Sequence, residues 1–189
     1  MNDISKITQF GDFYQIGAEF DIDKLLGEVS VHDDKWAKYN PRKDWIKRHG
    51  LCIINESGKC GPGPALDSLG EWNRELQRVV GPMLDWSVRS HFLRLPPGGY
   101  FPPHRDHVWG EQTSFRLIWA LENCNAPHCR FMLENNTLHF DYGECYVVNT
   151  TKQHTLFNCS TSHDSIWLVV NAQVTDDSIR FIQERLRER

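Results

Sequence analysis

Apolar residues recur at two spacings along the 189-residue chain, and the change between them falls near residue 88. Ahead of that point, Leu66, Leu69, Trp72, Leu76 and Val79 keep the three-to-four-residue period of one helix face. They predict a helix over 65–80, with Gly61-Pro62-Gly63-Pro64 breaking the chain before it and Gly81-Pro82 ending it. Short strands are expected at 13–16 and 50–54, and Asp21 is placed to cap a helix that starts at Ile22. Beyond residue 88 the pattern becomes one of strands. Residues 90–95 alternate, and 113–121, 129–133, 137–140, 144–149, 154–158 and 166–174 are apolar runs of strand length. Glu134-Asn135-Asn136 reads as a hairpin turn. The chain then closes with an amphipathic helix over 176–189, capped by Asp176, with Ile179, Ile182 and Leu186 on one face. Seven short strands with tight turns predict a mainly β fold with flanking helices, an antiparallel double-sheet barrel.

Composition narrows the setting. The formal charge is −4, too acidic for a protein that binds nucleic acid through a broad basic face. No apolar run approaches the roughly 18 residues of a membrane span, and the first residues carry no apolar leader. The six cysteines then read as reduced thiols of a cytoplasmic protein. One domain over 1–189 is expected: a mixed support region at 1–87, a strand-rich core with the site at 88–175, and the helix at 176–189.

The candidate chemistry lies in the run Arg94-Leu95-Pro96-Pro97-Gly98-Gly99-Tyr100-Phe101-Pro102-Pro103-His104-Arg105-Asp106. Prolines and glycines make a stiff, irregular approach to His104 and Asp106, whose i, i+2 spacing puts both side chains on one face of an extended chain. By itself, a His-x-Asp match occurs often by chance. His154 supplies a third donor, aimed by a strand, a polar turn at 150–153 and the start of a return strand. Two imidazoles and one carboxylate, leaving three positions open, suit Fe(II) in the manner of non-haem iron oxygenases. The other histidines (32, 49, 91, 107, 128, 139 and 163) read as surface or hydrogen-bonded residues. Arg116 is the one charge inside the apolar run 114–121, so it needs an anionic partner. That partner is either an internal carboxylate or the carboxylate of a bound acid.

Residues 93–106, Arg116, and the run 143–149 leading to His154 and Asn158 together resemble the aspartyl/asparaginyl β-hydroxylase family, which includes free-proline hydroxylases. The resemblance spans roughly residues 88–175. It implies a double-stranded β-helix (jelly-roll, cupin-like) fold. His104, Asp106 and His154 would hold Fe(II), with 2-oxoglutarate as co-substrate and O2 as oxidant. The implied reaction is hydroxylation of an unactivated C–H of an amino acid, or of an Asp, Asn or Pro-type residue in a peptide or protein. One departure stands out. The family places an arginine roughly ten residues beyond the distal histidine to anchor the far carboxylate of 2-oxoglutarate. Here the chain reads His163-Asp164-Ser165-Ile166-Trp167. Either Arg116 takes over the anchoring or the co-substrate binds differently, and Asp164 is expected to face solvent.

Arg105 and Trp109 are candidates for contact with substrate, with Arg94 and Arg130 as further cations that could meet a carboxylate. Strand alternation would instead turn Arg105 outward, and Trp109 would serve equally as packing. Three other readings stand beside the hydroxylase: a cupin-like metal protein that does not use 2-oxoglutarate, a structural zinc site built on Cys124, His128 and Cys129 with Cys145 or Cys159, and a binding module without catalysis.

Overall fold

The structure is a computed structural model that describes residues 4–30, 36–38, 55–60, 74–106 and 114–187. In chain order these form α1 (Ser5–Thr8), β1 (Phe13–Ile16), α2 (Ile22–Ser30), β2 (Trp36–Lys38), β3 (Asn55–Cys60) and α3 (Arg74–Val80). A 3₁₀ helix (Gly81–Trp86) follows, and then β4 (Ser87–Leu95), β5 (Tyr100–His104), β6 (Ser114–Glu122), β7 (Cys129–Leu133) and β8 (Asn136–Leu138). The chain continues with β9 (Cys145–Val148), β10 (His154–Asn158), β11 (Ser165–Gln173) and α4 (Asp176–Arg187).

The described strands make a seven-stranded sheet, β1-β9-β6-β11-β4-β3-β2, and a four-stranded sheet, β5-β10-β7-β8. All pairings are antiparallel, and the eight strands β4 to β11 divide four and four between the sheets. That topology is the double-stranded β-helix. Two cores explain why β6 and β11 are apolar almost throughout. Phe115, Leu117 and Trp119 face the helices with Leu168, Val170, Trp86 and Ile182. Ile118 and Ala120 face the smaller sheet with Trp167, Phe131 and Phe140. A strand covered on both faces loses the in-out alternation of a half-exposed one.

Several expectations shift. The run 96–103 is not irregular to its end, because Tyr100–His104 forms β5. This strand has a partner only in β10, so it is an edge of the described sheet, where Pro102 and Pro103 are tolerated without an N–H to donate. Gly81-Pro82 does end α3, at Val80, and the chain goes on there as the 3₁₀ helix, since proline fits its first turn. The hairpin turn is Glu134-Asn135 alone: Glu134 takes φ 52° and Asn136 already pairs with Leu133. Thr175 rather than Asp176 caps α4, its Oγ1 accepting from Ser178 N at 3.1 Å while Thr175 N donates to Ser178 Oγ at 2.9 Å. Asp21 does cap α2, accepting from Lys24 N at 3.2 Å. The strand expected at 50–54 and the 65–73 part of the predicted helix lie outside the described residues.

Candidate metal centre

His104 ends β5 and His154 begins β10, and the two are direct partners in the ladder between these strands. Their rings lie 4.2 Å apart between centroids. Asp106 follows the end of β5, where its N–H donates to Thr150 O at 2.9 Å. That bond ties the ligand loop to the turn before His154. One donor atom from each of His104, Asp106 and His154 falls within 4.8 Å of the others. The i, i+2 spacing and the strand-turn-strand approach thus converge as the sequence predicts.

Each imidazole is held by its far nitrogen. His104 Nδ1 lies 2.7 Å from Pro102 O, and His154 Nδ1 lies 3.1 Å from Lys152 O. A carbonyl only accepts, so Nδ1 carries the proton and Nε2 keeps its lone pair in the neutral ring. Burial pushes both imidazoles below the ordinary histidine value; the His154 ring adds to this for His104, and Asp106 opposes it for both. Burial alone would raise the Asp106 carboxyl. The Arg116 guanidinium, His154 and a Thr150 hydrogen bond outweigh it and hold the group ionised, below the usual carboxylate range. Two neutral nitrogen donors and one carboxylate are the protonation states a divalent ion needs. The stacked Phe131 ring (6.1 Å from His154) and Phe101 (6.0 Å from His104) wall the histidines.

Arg116 meets the first of the two expectations for it, an internal carboxylate partner. Its Nη2 lies 3.1 Å from Asp106 Oδ2, so its internal partner is the carboxylate of the triad itself. Arg105 is exposed between the two ligands, as alternation predicts, and Arg130 is exposed on β7. Arg94 belongs elsewhere: Leu93 and Leu95 face the inter-sheet core, so Arg94 points the other way, 3.6 Å from Asp164. Asp164 is 42% exposed, in line with the solvent-facing expectation. His107 and Trp109 lie outside the described residues.

In the run 163–167, where the resemblance would put the family's arginine, Ser165 and Trp167 are the buried residues. Ser165 is fully buried and accepts from Trp167 Nε1 at 2.6 Å. The Trp167 ring, also fully buried, packs on Phe140 and Phe131. Asn158 serves structure, its Nδ2 donating to Leu95 O and His163 O. Sequence reasoning missed Asn171. It is the direct partner of Arg116 across β6 and β11, and its buried Oδ1 has no hydrogen-bond partner among the described residues. The available signal was the same as for Arg116, a polar residue inside an apolar strand.

The zinc reading is overturned. Among the described residues the triad is the one group of three or more side chains able to hold a metal. Cys124 spends its thiol on Ile166 O at 2.9 Å, and Cys145 lies in the core on the helix side of the large sheet, away from Cys124 and Cys129. Burial raises the Cys124 thiol and pushes Cys129 up to about 11. Both behave as small buried hydrophobes.

Comparison with known proteins agrees with this geometry. The family model described as aspartyl/asparaginyl β-hydroxylase matches residues 76–173, just over half of the chain and the whole of the triad. The chain belongs to the aspartyl/asparaginyl β-hydroxylase family. No curated protein matches it. Among solved structures it resembles a Pseudomonas putida prolyl-4-hydroxylase at 14% identity and a TM-score of 0.56, over 91% of this chain and 97% of that one. A viral collagen prolyl hydroxylase from Paramecium bursaria Chlorella virus-1, solved with 2-oxoglutarate, aligns at 11% identity and 0.55, over 89% and 99%. HygX of Streptomyces hygroscopicus, solved with nickel and 2-oxoglutarate, aligns at 10% and 0.57, over 90% and 85%. These likenesses establish the jelly-roll fold of this family member.

Proposed function

We propose that the protein is a 2-oxoglutarate- and Fe(II)-dependent hydroxylase acting on an unactivated C–H of an amino acid, or of an Asp, Asn or Pro-type residue in a peptide or protein. One observation carries the reading: two imidazoles with free Nε2 lone pairs and one carboxylate oxygen converge within 4.8 Å. This donor set fits Fe(II), because mixed nitrogen and oxygen ligands on one side leave positions open for co-substrate and O2. Family membership supports the same class. When bound, iron and 2-oxoglutarate would supply the oxidative chemistry that converts a C–H bond to C–OH.

The chain's own residues do the rest. His104, Asp106 and His154 hold the ion. Pro102 O and Lys152 O keep the Nδ1 protons and fix both rings. Arg116 spends Nη2 on Asp106, and its remaining donors suit a carboxylate of 2-oxoglutarate beside the metal. Phe101 and Phe131 exclude water from the histidine side. The described residues of 88–175 act as the catalytic core of one domain, buttressed by the described part of 1–87 and by α4. Arg105 and Trp109 stay candidates for contact with substrate from the sequence alone. No described helix is long and apolar enough to cross a membrane. The free thiols of Cys124, Cys129, Cys145 and Cys159 support a reducing, cytoplasmic setting.

The test is anaerobic titration with Fe(II) and then 2-oxoglutarate, followed by the visible charge-transfer band of the chelate. The band should form in the wild type and be absent in His104→Ala. Iron binding with no band would favour the second reading, a cupin-like metal protein that does not use 2-oxoglutarate. The specific observation behind that alternative is the run 163–167, where the resemblance would put the family's arginine and where Ser165 and Trp167 are buried.

A further inference from the structure

The turn at 149–153 holds two of the three ligands. Thr150 O takes the Asp106 N–H at 2.9 Å, and Lys152 O takes the His154 Nδ1–H at 3.1 Å. Whatever fixes this turn therefore fixes the position of Asp106 and the rotation of His154.

Three bonds to Asp12 hold it from one side, while from the other Glu134 N donates to Gln153 O at 2.7 Å and the Glu134 carboxylate stands 3.6 Å from Lys152 Nζ. Asp12 immediately precedes β1, whose Phe13 pairs with Val148 at the end of β9. The ladder extends one step further, with Asn149 N donating to Asp12 O at 2.8 Å. The Asp12 side chain then reaches over the turn: Oδ1 accepts from Asn149 Nδ2 at 2.7 Å, and Oδ2 meets Lys152 Nζ at 2.6 Å. Asn149 passes the constraint inward, its Oδ1 accepting from Thr151 Oγ1 at 2.6 Å. One carboxylate thus grips both ends of the segment whose carbonyls set the ligands.

We propose that Asp12 is a positioning residue for the metal site, acting through Asn149 and Lys152 on Asp106 and His154. It lies far outside the 76–173 segment matched by the family model, so the N-terminal segment takes part in the site as well as in the fold. The ion pair itself adds little stability, because Lys152 and Asp12 are 35% and 37% exposed and water screens them. Its effect is geometric. Partners that orient metal ligands typically change affinity by roughly 10–100-fold when removed. The inference rests on the metal-site reading above.

The experiment compares Co(II) affinity and the visible d–d spectrum of the wild type with Asp12→Ala, Asp12→Asn and Lys152→Met, alongside the melting temperature of each metal-free protein. Asp12→Ala should bind Co(II) at least about tenfold more weakly, with a shifted spectrum and a metal-free melting temperature close to wild type. Asp12→Asn, which keeps the contacts to Asn149, should recover part of the affinity. Lys152→Met leaves the backbone bonds in place and reports on the grip even if Asp12→Ala folds poorly. Unchanged affinity and spectrum in Asp12→Ala and Lys152→Met would overturn the proposal while leaving the metal site standing. Failure of the wild type to bind Co(II) would overturn the metal-site reading and this inference with it.

Discussion

Arg116 Nη2 stands 3.1 Å from Asp106 Oδ2, while the other oxygen of that carboxylate, Oδ1, stands 3.7 Å from His104 Nε2. The two oxygens are divided between a guanidinium and the imidazole side of the site. This leaves Oδ1 as the oxygen free to meet an ion, and it puts a cation next to any co-substrate carboxylate that binds there. Arg116→Gln should therefore weaken two things at once. The 2-oxoglutarate concentration needed for half the charge-transfer band should rise by roughly tenfold or more, because a charge-assisted contact is lost. Iron affinity should fall by a smaller factor, because Asp106 loses its orienting partner. Arg116→Lys should recover the iron affinity better than the co-substrate affinity, since an ammonium is a point charge without the fork. Separate titrations of iron and of 2-oxoglutarate check both halves.

Substitution of any one ligand should remove metal binding and leave the fold. The wild type should melt at a higher temperature as Fe(II) or Mn(II) is added, because a ligand that binds only the native state stabilises it by mass action. His104→Ala and His154→Ala should lose that rise while keeping the wild-type far-ultraviolet spectrum. Asp106→Ala should lose it too, and should also melt lower than Asp106→Asn without metal. Alanine leaves Arg116, which is 19% exposed, without the acceptor its Nη2 uses, whereas asparagine keeps an oxygen there.

How much of this was legible in the sequence depends on what kind of information each residue carries. His104, Asp106 and His154 could be found because ligand chemistry restricts the residue types, and strand geometry turns an i, i+2 spacing into a shared face. β10 could be bounded as 154–158 because its apolar run is framed by polar turns. β5 was misread because Pro102 and Pro103 are strand breakers everywhere but at an edge, and edge position is a property of the finished sheet. For a similar reason the sequence leaves open which internal carboxylate Arg116 meets. The pairing of Arg116 with Asp106 joins residues ten apart across two sheets, and no local pattern encodes it. Asp12 is harder still: it meets Asn149 at a separation of 137 residues, and a lone aspartate before a short strand carries no signal of its own.

Stability should respond to pH through Glu75. This carboxylate is buried, accepting from Asp21 N at 2.7 Å and from Arg78 Nη2 at 2.6 Å. The hydrogen bond from Arg78, opposed in part by burial, holds its carboxyl below the ordinary value of 4.5. A carboxyl lowered in the folded state contributes stability above its unfolded value and loses it as pH falls through its folded value. Glu75→Gln keeps an acceptor for Asp21 but removes the charge, so it should cost roughly 1–3 kcal/mol at pH 7. The gap in melting temperature between wild type and Glu75→Gln should narrow as the pH drops below 4.5. A gap that stays constant down to acid pH would mean that the charge is not what Glu75 contributes.

Gly143 should be the least replaceable glycine described. It sits just before β9 at φ +82°, a left-handed conformation that a side chain resists. Its backbone is pinned on both sides, Gly143 N donating to Ala120 O at 3.0 Å and Phe20 N donating to Gly143 O at 2.8 Å. A β-carbon there would come within 2.8 Å of Ile22 Cγ1 and 2.9 Å of Phe20 O. The second clash is with backbone and cannot be relieved by a rotamer change. Gly143→Ala should therefore cost more than about 1 kcal/mol, from strain and clash together. Because β9 leads straight into the turn that holds Asp106 and His154, the metal-induced rise in melting temperature should shrink as well. Gly98, at φ +71° but with nothing within 4 Å of an added β-carbon, is the control: Gly98→Ala carries the strain without the clash and should cost less. Equal losses at the two positions would show that the close approach to Phe20 is not what fixes Gly143.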